Sequence, residues 1–278
     1  MVSFGVSSMF FHEYTSAEIF SFAERAGLDA LEFWLETPHF WLRGLPVDEV
    51  IACLRTHPRI ASLTVHAPIL DLNPCSLNPE VADVSIGYAV RSIAIAETLG
   101  ARVLTVHPGR RTAKRPPGSA DFTRFARYIA ALREAAQKND LRIAMENMEP
   151  KVNSLLCTPE RMRSVLDEDP WLFFTLDTSH ALAQSEDVAI QYIELCADRL
   201  VNVHLSRIDG AKLHRPLDRS PVIARILTAL QDHHFTGSLT LEIEDLTFER
   251  TLSAEEKIAI LARDCTFMHE CIGYALVL

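Results

Sequence analysis

Six apolar runs in this chain stop at a histidine or a carboxylate, and no other feature limits the fold as much. They are Leu63-Thr-Val-His66, Val103-Leu-Thr-Val-His107, Ile143-Ala-Met-Glu146, Phe173-Phe-Thr-Leu-Asp177, Val201-Asn-Val-His204 and Leu239-Thr-Leu-Glu242. His180 follows Asp177 by three residues. Runs this short and this apolar read as strands buried on both faces, as in parallel sheets covered by helices. Buried charges without partners are too costly to accumulate by accident. Six strand ends carrying His, Asp and Glu therefore imply one shared site, and they meet only if the sheet closes into a ring.

The remainder of the chain agrees. Strand patterns at 2–6, 29–34, 60–66, 102–107, 141–146, 171–177, 199–204 and 238–242 alternate with helical patterns near 16–26, 47–56, 80–99, 121–138, 159–168, 187–197, 220–233 and 254–273. Eight strand-then-helix units predict an α/β fold, a single (β/α)8 TIM barrel forming one domain over residues 1–278. An open doubly wound sheet is the rival, disfavoured because no Gly-x-Gly-x-x-Gly turn follows any strand.

Charge and cysteine usage narrow the function classes. A net charge of −10 opposes nonspecific binding to nucleic acid or an anionic membrane. The six cysteines contain no Cys-x-x-Cys pair, so neither a disulfide framework nor a zinc knuckle is expected. With no secretion signal or apolar span of membrane length, the expected location is cytoplasmic, without membrane association.

Three loops following strands are marked. Leu35 to Pro46 carries His39, Phe40 and Trp41, read equally as flap packing, as a cover over substrate, or as part of an interface in a homo-oligomer. Pro108 to Gly118 holds Arg110, Arg111, Lys114 and Arg115, and Ser206 to Ser220 holds Arg207, Lys212, His214, Arg215 and Arg219. Both basic loops leave the C-terminal ends of strands, the catalytic face of such barrels, so a small anionic or polyhydroxylated substrate is expected. Arg110, Arg111, Arg207, Lys212, His180 and His214 are the candidate substrate contacts.

Glu146, Asp177, His204 and Glu242 offer carboxylates and an imidazole from four strand ends, a mixed donor set that suits a divalent ion such as Zn²⁺, Mn²⁺, Mg²⁺ or Co²⁺. His66 and His107 could complete a second position with Glu146 as a bridge. Asn147 is expected to orient a neighbour by hydrogen bonding. Glu32, at the end of the second strand, reads equally as a support behind the ligands or as a solvated rim residue.

The motifs Val65-His66-Ala-Pro, Leu99-Gly-Ala-Arg-Val-Leu-Thr-Val-His107-Pro-Gly, Met145-Glu146-Asn147, Leu176-Asp177-Thr-Ser-His180, Val203-His204-Leu-Ser and Leu241-Glu242 span nearly the whole chain. The set resembles the xylose isomerase-like barrel superfamily, which holds ketose epimerases, hydroxypyruvate isomerase, inosose dehydratase and endonuclease IV. Resemblance to the sugar enzymes implies a divalent-metal-dependent isomerase or epimerase. Glu146, Asp177, His204 and Glu242 would hold the metal, Glu146 and Glu242 would also transfer protons, and His180 would touch a substrate hydroxyl. Resemblance to endonuclease IV implies instead a three-zinc phosphodiesterase of abasic DNA, using His66, His107, Glu146, Asp177, His180, His204, His214 and Glu242. There the third zinc also takes an aspartate two residues before the last histidine, where this chain has Lys212, so the nuclease reading is disfavoured. A non-catalytic metal-binding barrel is the third reading.

Overall fold

The computed structural model describes residues 2–36, 47–136 and 140–273. Eight parallel strands close into a barrel: β1 (Ser3–Ser7), β2 (Ala30–Trp34), β3 (Ser62–His66), β4 (Val103–Val106), β5 (Arg142–Glu146), β6 (Phe173–Asp177), β7 (Leu200–Leu205) and β10 (Ser238–Leu241). Neighbours in sequence are neighbours in the ring, and β1 returns to β10 through the pairs Ser3 to Ser238 and Val6 to Leu241. The eight-unit TIM barrel expected from periodicity is the observed fold.

Helices α1 (Ser16–Arg25), α2 (Val47–Thr56), α3 (Pro79–Thr98), α4 (Ser119–Ala136), α5 (Pro159–Glu168), α7 (Glu186–Cys196), α8 (Pro221–Asp232) and α9 (Ala254–Ile272) cover the strands. Their starts are written locally. Thr15 with Glu18, and Ser253 with Glu256, form reciprocal caps, and Pro79, Pro159 and Pro221 open helices where a missing N–H leaves nothing unpaired. The aliphatic core lies between strands and helices, with Val6, Phe33, Val65, Leu104, Leu176, Val203 and Leu241 all fully buried there.

Two local features were not expected. Residues 206–220, read as a loop, contain an antiparallel hairpin of β8 (Arg207–Asp209) and β9 (Lys212–Arg215). A short helix, α6 (Thr178–Leu182), starts at the end of β6, with Asp177 as its cap. The aromatic loop expected at 35–46 lies outside the described residues apart from Leu35 and Glu36.

A lysine fastens the seam between first and last units. Lys257 on α9 is fully buried, and its Nζ donates to Phe10 O (2.7 Å), Glu13 (2.6 Å) and Asp245 (3.0 Å). His12 stands 3.5 Å from Glu13 and 3.7 Å from Asp245. An ammonium already occupies the centre of this acidic group, which makes it an ion-pair latch between the loops after β1 and β10.

Candidate active site and metal centre

Because successive strand residues point to opposite faces, residues two apart share the barrel interior. The mouth therefore carries two stacked polar layers. His66, His107, Glu146, Asp177, His204 and Glu242 form the upper one. Directly beneath, two residues earlier on five strands, lie Thr64, Thr105, Thr175, Asn202 and Thr240, all buried, with Glu32 among them.

The lower layer is knitted by hydrogen bonds. Thr64 Oγ1 and Asn202 Nδ2 each donate to Glu32 Oε2 at 2.9 Å, Thr240 Oγ1 donates to Asn202 Oδ1 at 3.0 Å, and the hydroxyls of Thr105 and Thr175 pair at 2.9 Å. Glu32 is thus a support behind the candidate ligands, fully buried, and the rim alternative falls. Its other oxygen, Oε1, sits 2.9 Å from His204 Nε2. The carboxylate favours a proton on that nitrogen, which the Asn202 amide also faces at 3.1 Å, and a neutral His204 so protonated presents a lone pair at Nδ1. His204 Nδ1 has no hydrogen-bond partner and faces Glu242 (3.2 Å) and Glu146 (3.5 Å).

Asp177 is divided in the same way. Oδ1 accepts from His180 N (2.7 Å) and Ser179 Oγ (2.9 Å), which caps α6, while Oδ2 is buried without a partner. Asn147 locks the end of β6, donating to Asp177 O at 3.0 Å and accepting from Asp177 N at 2.7 Å, so its expected orienting role is reciprocal. Ligand-capable atoms of Glu146, Asp177, His204 and Glu242 all lie within 4.8 Å of one another. Three buried groups there, Asp177 Oδ2, His204 Nδ1 and Glu242 Oε2, have lone pairs and no donor, which is the pattern a cation would satisfy.

Two further groups adjoin this one. His66 and His107 point Nε2 at Glu146 Oε2 from 3.2 and 3.1 Å, while His66 Nδ1 meets the carbonyl of Ala67 at 2.7 Å. With its Nδ1 proton given to that carbonyl, a neutral His66 would aim a lone pair at a carboxylate. Either a proton or a cation must lie between them. On the other side, His214 Nδ1 stands 3.8 Å from Asp177 Oδ2 and 3.5 Å from Glu242, and His180 Nδ1 bonds Asn147 O at 2.9 Å.

The electrostatics follow from crowding. Burial alone would raise Glu146, but His107 and His204 hold it well below the usual carboxylate range. Burial would likewise raise Glu242, and His204 and His214 pull it down. Burial pushes Asp177 up to about 6 despite His180 and His214. His204 would be depressed by burial, yet Glu242, Glu32 and Glu146 raise it well above the ordinary imidazole value. Burial leaves His107 lowered.

Above the ligands is a cavity of about 360 Å³, whose lining includes Met9, Trp34, Arg110, Lys151, His180 and His214. The other candidate contacts stand elsewhere. Arg111 turns back onto Pro116 O (2.6 Å) and Asp121 (3.7 Å), and Arg207 pairs with Asp218 (2.6 Å). Lys212 projects from the hairpin, exposed, and does not line the cavity. The lower layer, Thr64, Thr105, Thr175, Asn202 and Thr240, was missed from sequence, though its signal is simple: a polar residue two places before five of the six candidate ligands, inside an apolar run, with Ala144 before Glu146 the exception.

Fold, strand-end carboxylates and imidazoles, and mouth cavity together define a TIM-barrel scaffold of one kind. The chain belongs to the xylose isomerase-like TIM barrel family, matched over residues 20–264. It is 32% identical over 275 residues to an uncharacterized protein of Methanocaldococcus jannaschii, covering 98% of this chain and all of that one. A probable endonuclease 4 of Thermosipho africanus is 24% identical over 170 residues, 58% of either chain. Among solved structures, D-allulose 3-epimerase from Methylomonas sp. in complex with D-allulose superposes with a TM-score of 0.78 at 18% identity, covering 97% of this chain and 96% of that one. At that identity the likeness speaks for the fold alone.

Proposed function

We propose that the protein is a divalent-metal-dependent isomerase or epimerase of a small keto sugar, polyol or sugar phosphate. One observation carries this reading: Glu146, Asp177, His204 and Glu242, from four adjacent strands, converge in a buried cluster whose unpartnered lone pairs face one another beneath a cavity of sugar size. The donors, three carboxylates and one imidazole, fit a hard or borderline divalent cation. When bound, such an ion supplies Lewis-acid polarisation of a carbonyl and its neighbouring hydroxyl.

The chain's own groups would do the rest. Glu242 Oε2, without a hydrogen-bond donor, removes the proton beside the carbonyl, and Glu146 delivers to the other face the proton it shares with His66 Nε2, 3.2 Å away; the roles exchange in the reverse direction. His66 and His107 hold Glu146 in place. His180, at the cavity wall, meets a substrate hydroxyl, and the cavity lining limits access of water.

The test is solvent exchange. Keto sugars and their phosphates incubated in D2O with protein purified without chelator should gain deuterium at the carbon beside the carbonyl, read by NMR. Glu242→Gln should lower that exchange by about 10² to 10⁴-fold, the usual contribution of a positioned acid or base. Full exchange by Glu242→Gln would sink the assignment.

The two flanking groups, His66/His107/Glu146 and Asp177/His180/His214, favour a second reading, a zinc phosphodiesterase acting on abasic DNA. The net charge of −10 and Lys212 weigh against it. Two or more equivalents of zinc by plasma mass spectrometry, with chelator-sensitive incision of an abasic duplex, would establish it in place of the first.

A further inference from the structure

Among the described residues, the cavity wall carries one cation that nothing neutralises. Arg110 lines the cavity, and its guanidinium makes no ion pair or hydrogen bond there. Its neighbours are engaged: Lys151 pairs with Glu149, Arg111 and Arg124 with Asp121, and Arg207 with Asp218.

The backbone beneath Arg110 is held from both sides. Its N–H donates to Asn73 Oδ1 at 3.0 Å and its carbonyl accepts from Asn73 Nδ2 at 2.9 Å. One residue on, Arg111 N donates to Asn153 O at 3.0 Å, and Asn153 Nδ2 donates to Arg111 O at 2.9 Å. A bridge joins Arg110 to Ser154. The chain reaches this clamp through Gly109 at φ +76°, where a Cβ would stand 2.8 Å from Asn73 Oδ1. Loops after β3, β4 and β5 are thus tied into one rim. The backbone is fixed while the guanidinium stays available, a pre-organised arrangement that lowers the ordering penalty of binding.

The cavity floor is acidic, with Glu146 and Glu242 there, while Asp71 and the Lys151-paired Glu149 also line the wall. A ligand with hydroxyls at the acidic floor and a negative group at the rim matches both ends. Resting on the sugar reading above, we propose that Arg110 is a specificity-determining residue that binds a terminal anionic group, phosphate or carboxylate, on a small polyhydroxylated substrate. The guanidinium fork matches either group bidentately, as lysine cannot.

The experiment compares ribitol, ribitol 5-phosphate and ribonate by calorimetry on protein as purified, alongside Arg110→Gln and Arg110→Lys. The wild type should bind one of the two anions about tenfold or more tightly than ribitol, as charge-assisted hydrogen bonds provide. Whichever anion wins identifies the group. Arg110→Gln should erase that preference while ribitol affinity and melting temperature hold, since the structural bonds at this position are backbone bonds; Arg110→Lys should restore it in part. No preference in the wild type, no saturable binding of either anion, or a preference that survives in Arg110→Gln overturns the proposal. Its failure is separable from that of the isomerase reading. Arg110-dependent binding without turnover of any sugar phosphate would refute the isomerase and keep the anion site, whereas turnover of neutral sugars without anion preference would do the reverse.

Discussion

Replacing Glu32 by glutamine tests whether a residue outside the ligand cluster sets its chemistry. In the native protein Glu32 Oε2 accepts two hydrogen bonds, from Thr64 and Asn202, and Oε1 faces His204 Nε2 at 2.9 Å. The amide of glutamine has one acceptor oxygen. Two donors already converge on the Oε2 position, so the oxygen must stay there and the NH2 must face His204. His204 Nε2 would then face two amides, this one and that of Asn202 at 3.1 Å, with no carboxylate to favour a proton there, and His204 responds by moving its proton to Nδ1. That proton then points at Glu242 Oε2, 3.2 Å away, and occupies the lone pair needed for a cation. Loss of such a supporting carboxylate typically lowers metal affinity about 10- to 100-fold, or about 1.4 to 2.8 kcal/mol. Competition with a chromophoric chelator for Mn²⁺ or Zn²⁺ measures it directly. The metal-free variant should fold but melt below wild type, because one partner of the buried Glu32–His204 pair has been removed. Affinity within about twofold of wild type, with the fold intact, would refute the reasoning.

Asn147→Ala leaves a buried N–H and C=O of Asp177 unpaired and should lower unfolding free energy by about 2 to 4 kcal/mol, measured by urea denaturation; a loss below about 0.5 kcal/mol would contradict the reciprocal lock. Chelated protein should lose stability as pH rises from about 6 to about 8. His204, His180 and His66, all raised, give stability that is complete below their unfolded value of 6.5 and is lost through their higher folded values; the share of Asp177, raised to about 6, is already lost below this interval, and His107, lowered, opposes them only at its start. The raised histidines set the sign, because Glu146 and Glu242, which are lowered, and Asp177 complete most of their titration below this interval. Calorimetry should show the melting temperature falling by on the order of 5 °C, and added divalent metal should flatten the slope; a rise over this interval would be incompatible with the site.

Much of this was legible because strands write their environment into a two-residue period. Phe173 to Asp177 declares a buried strand with a carboxylate at its tip, and five other runs repeat the statement with His or Glu, which pointed to both the ring and the candidate ligands. The layer beneath was as regular, but threonine is a common strand former, so Thr64, Thr105, Thr175 and Thr240 look ordinary until their shared offset from the ligands is noticed. Glu32 had no pattern to resolve it, since a strand-end glutamate is equally at home in water. Asn73 and Asn153 lie in loops, and their clamp on the Arg110 backbone depends on three loops meeting in space, which local sequence does not encode. The cation-rich run from Arg110 to Arg115 reads as a single feature in sequence, yet the clamp and the turn of Arg111 leave only Arg110 over the cavity.

The latch at Lys257 bears on when the site comes into being. Ser3 pairs with Ser238 and the Phe10–Glu13 loop with Lys257, so the ring closes through partners at opposite ends of the described chain. Strand edges left open on either side of that gap are sticky, and a partial barrel has two of them. Glu242 itself follows the last strand. During synthesis, then, His66, His107, Glu146, Asp177 and His204 all emerge before the carboxylate that completes their cluster and the helix that seals it. On the proposed metal reading, cation capture by the full set has to wait until the chain has folded through Glu242 and α9, and folding of that last unit is the step that separates a nascent polypeptide from a competent one.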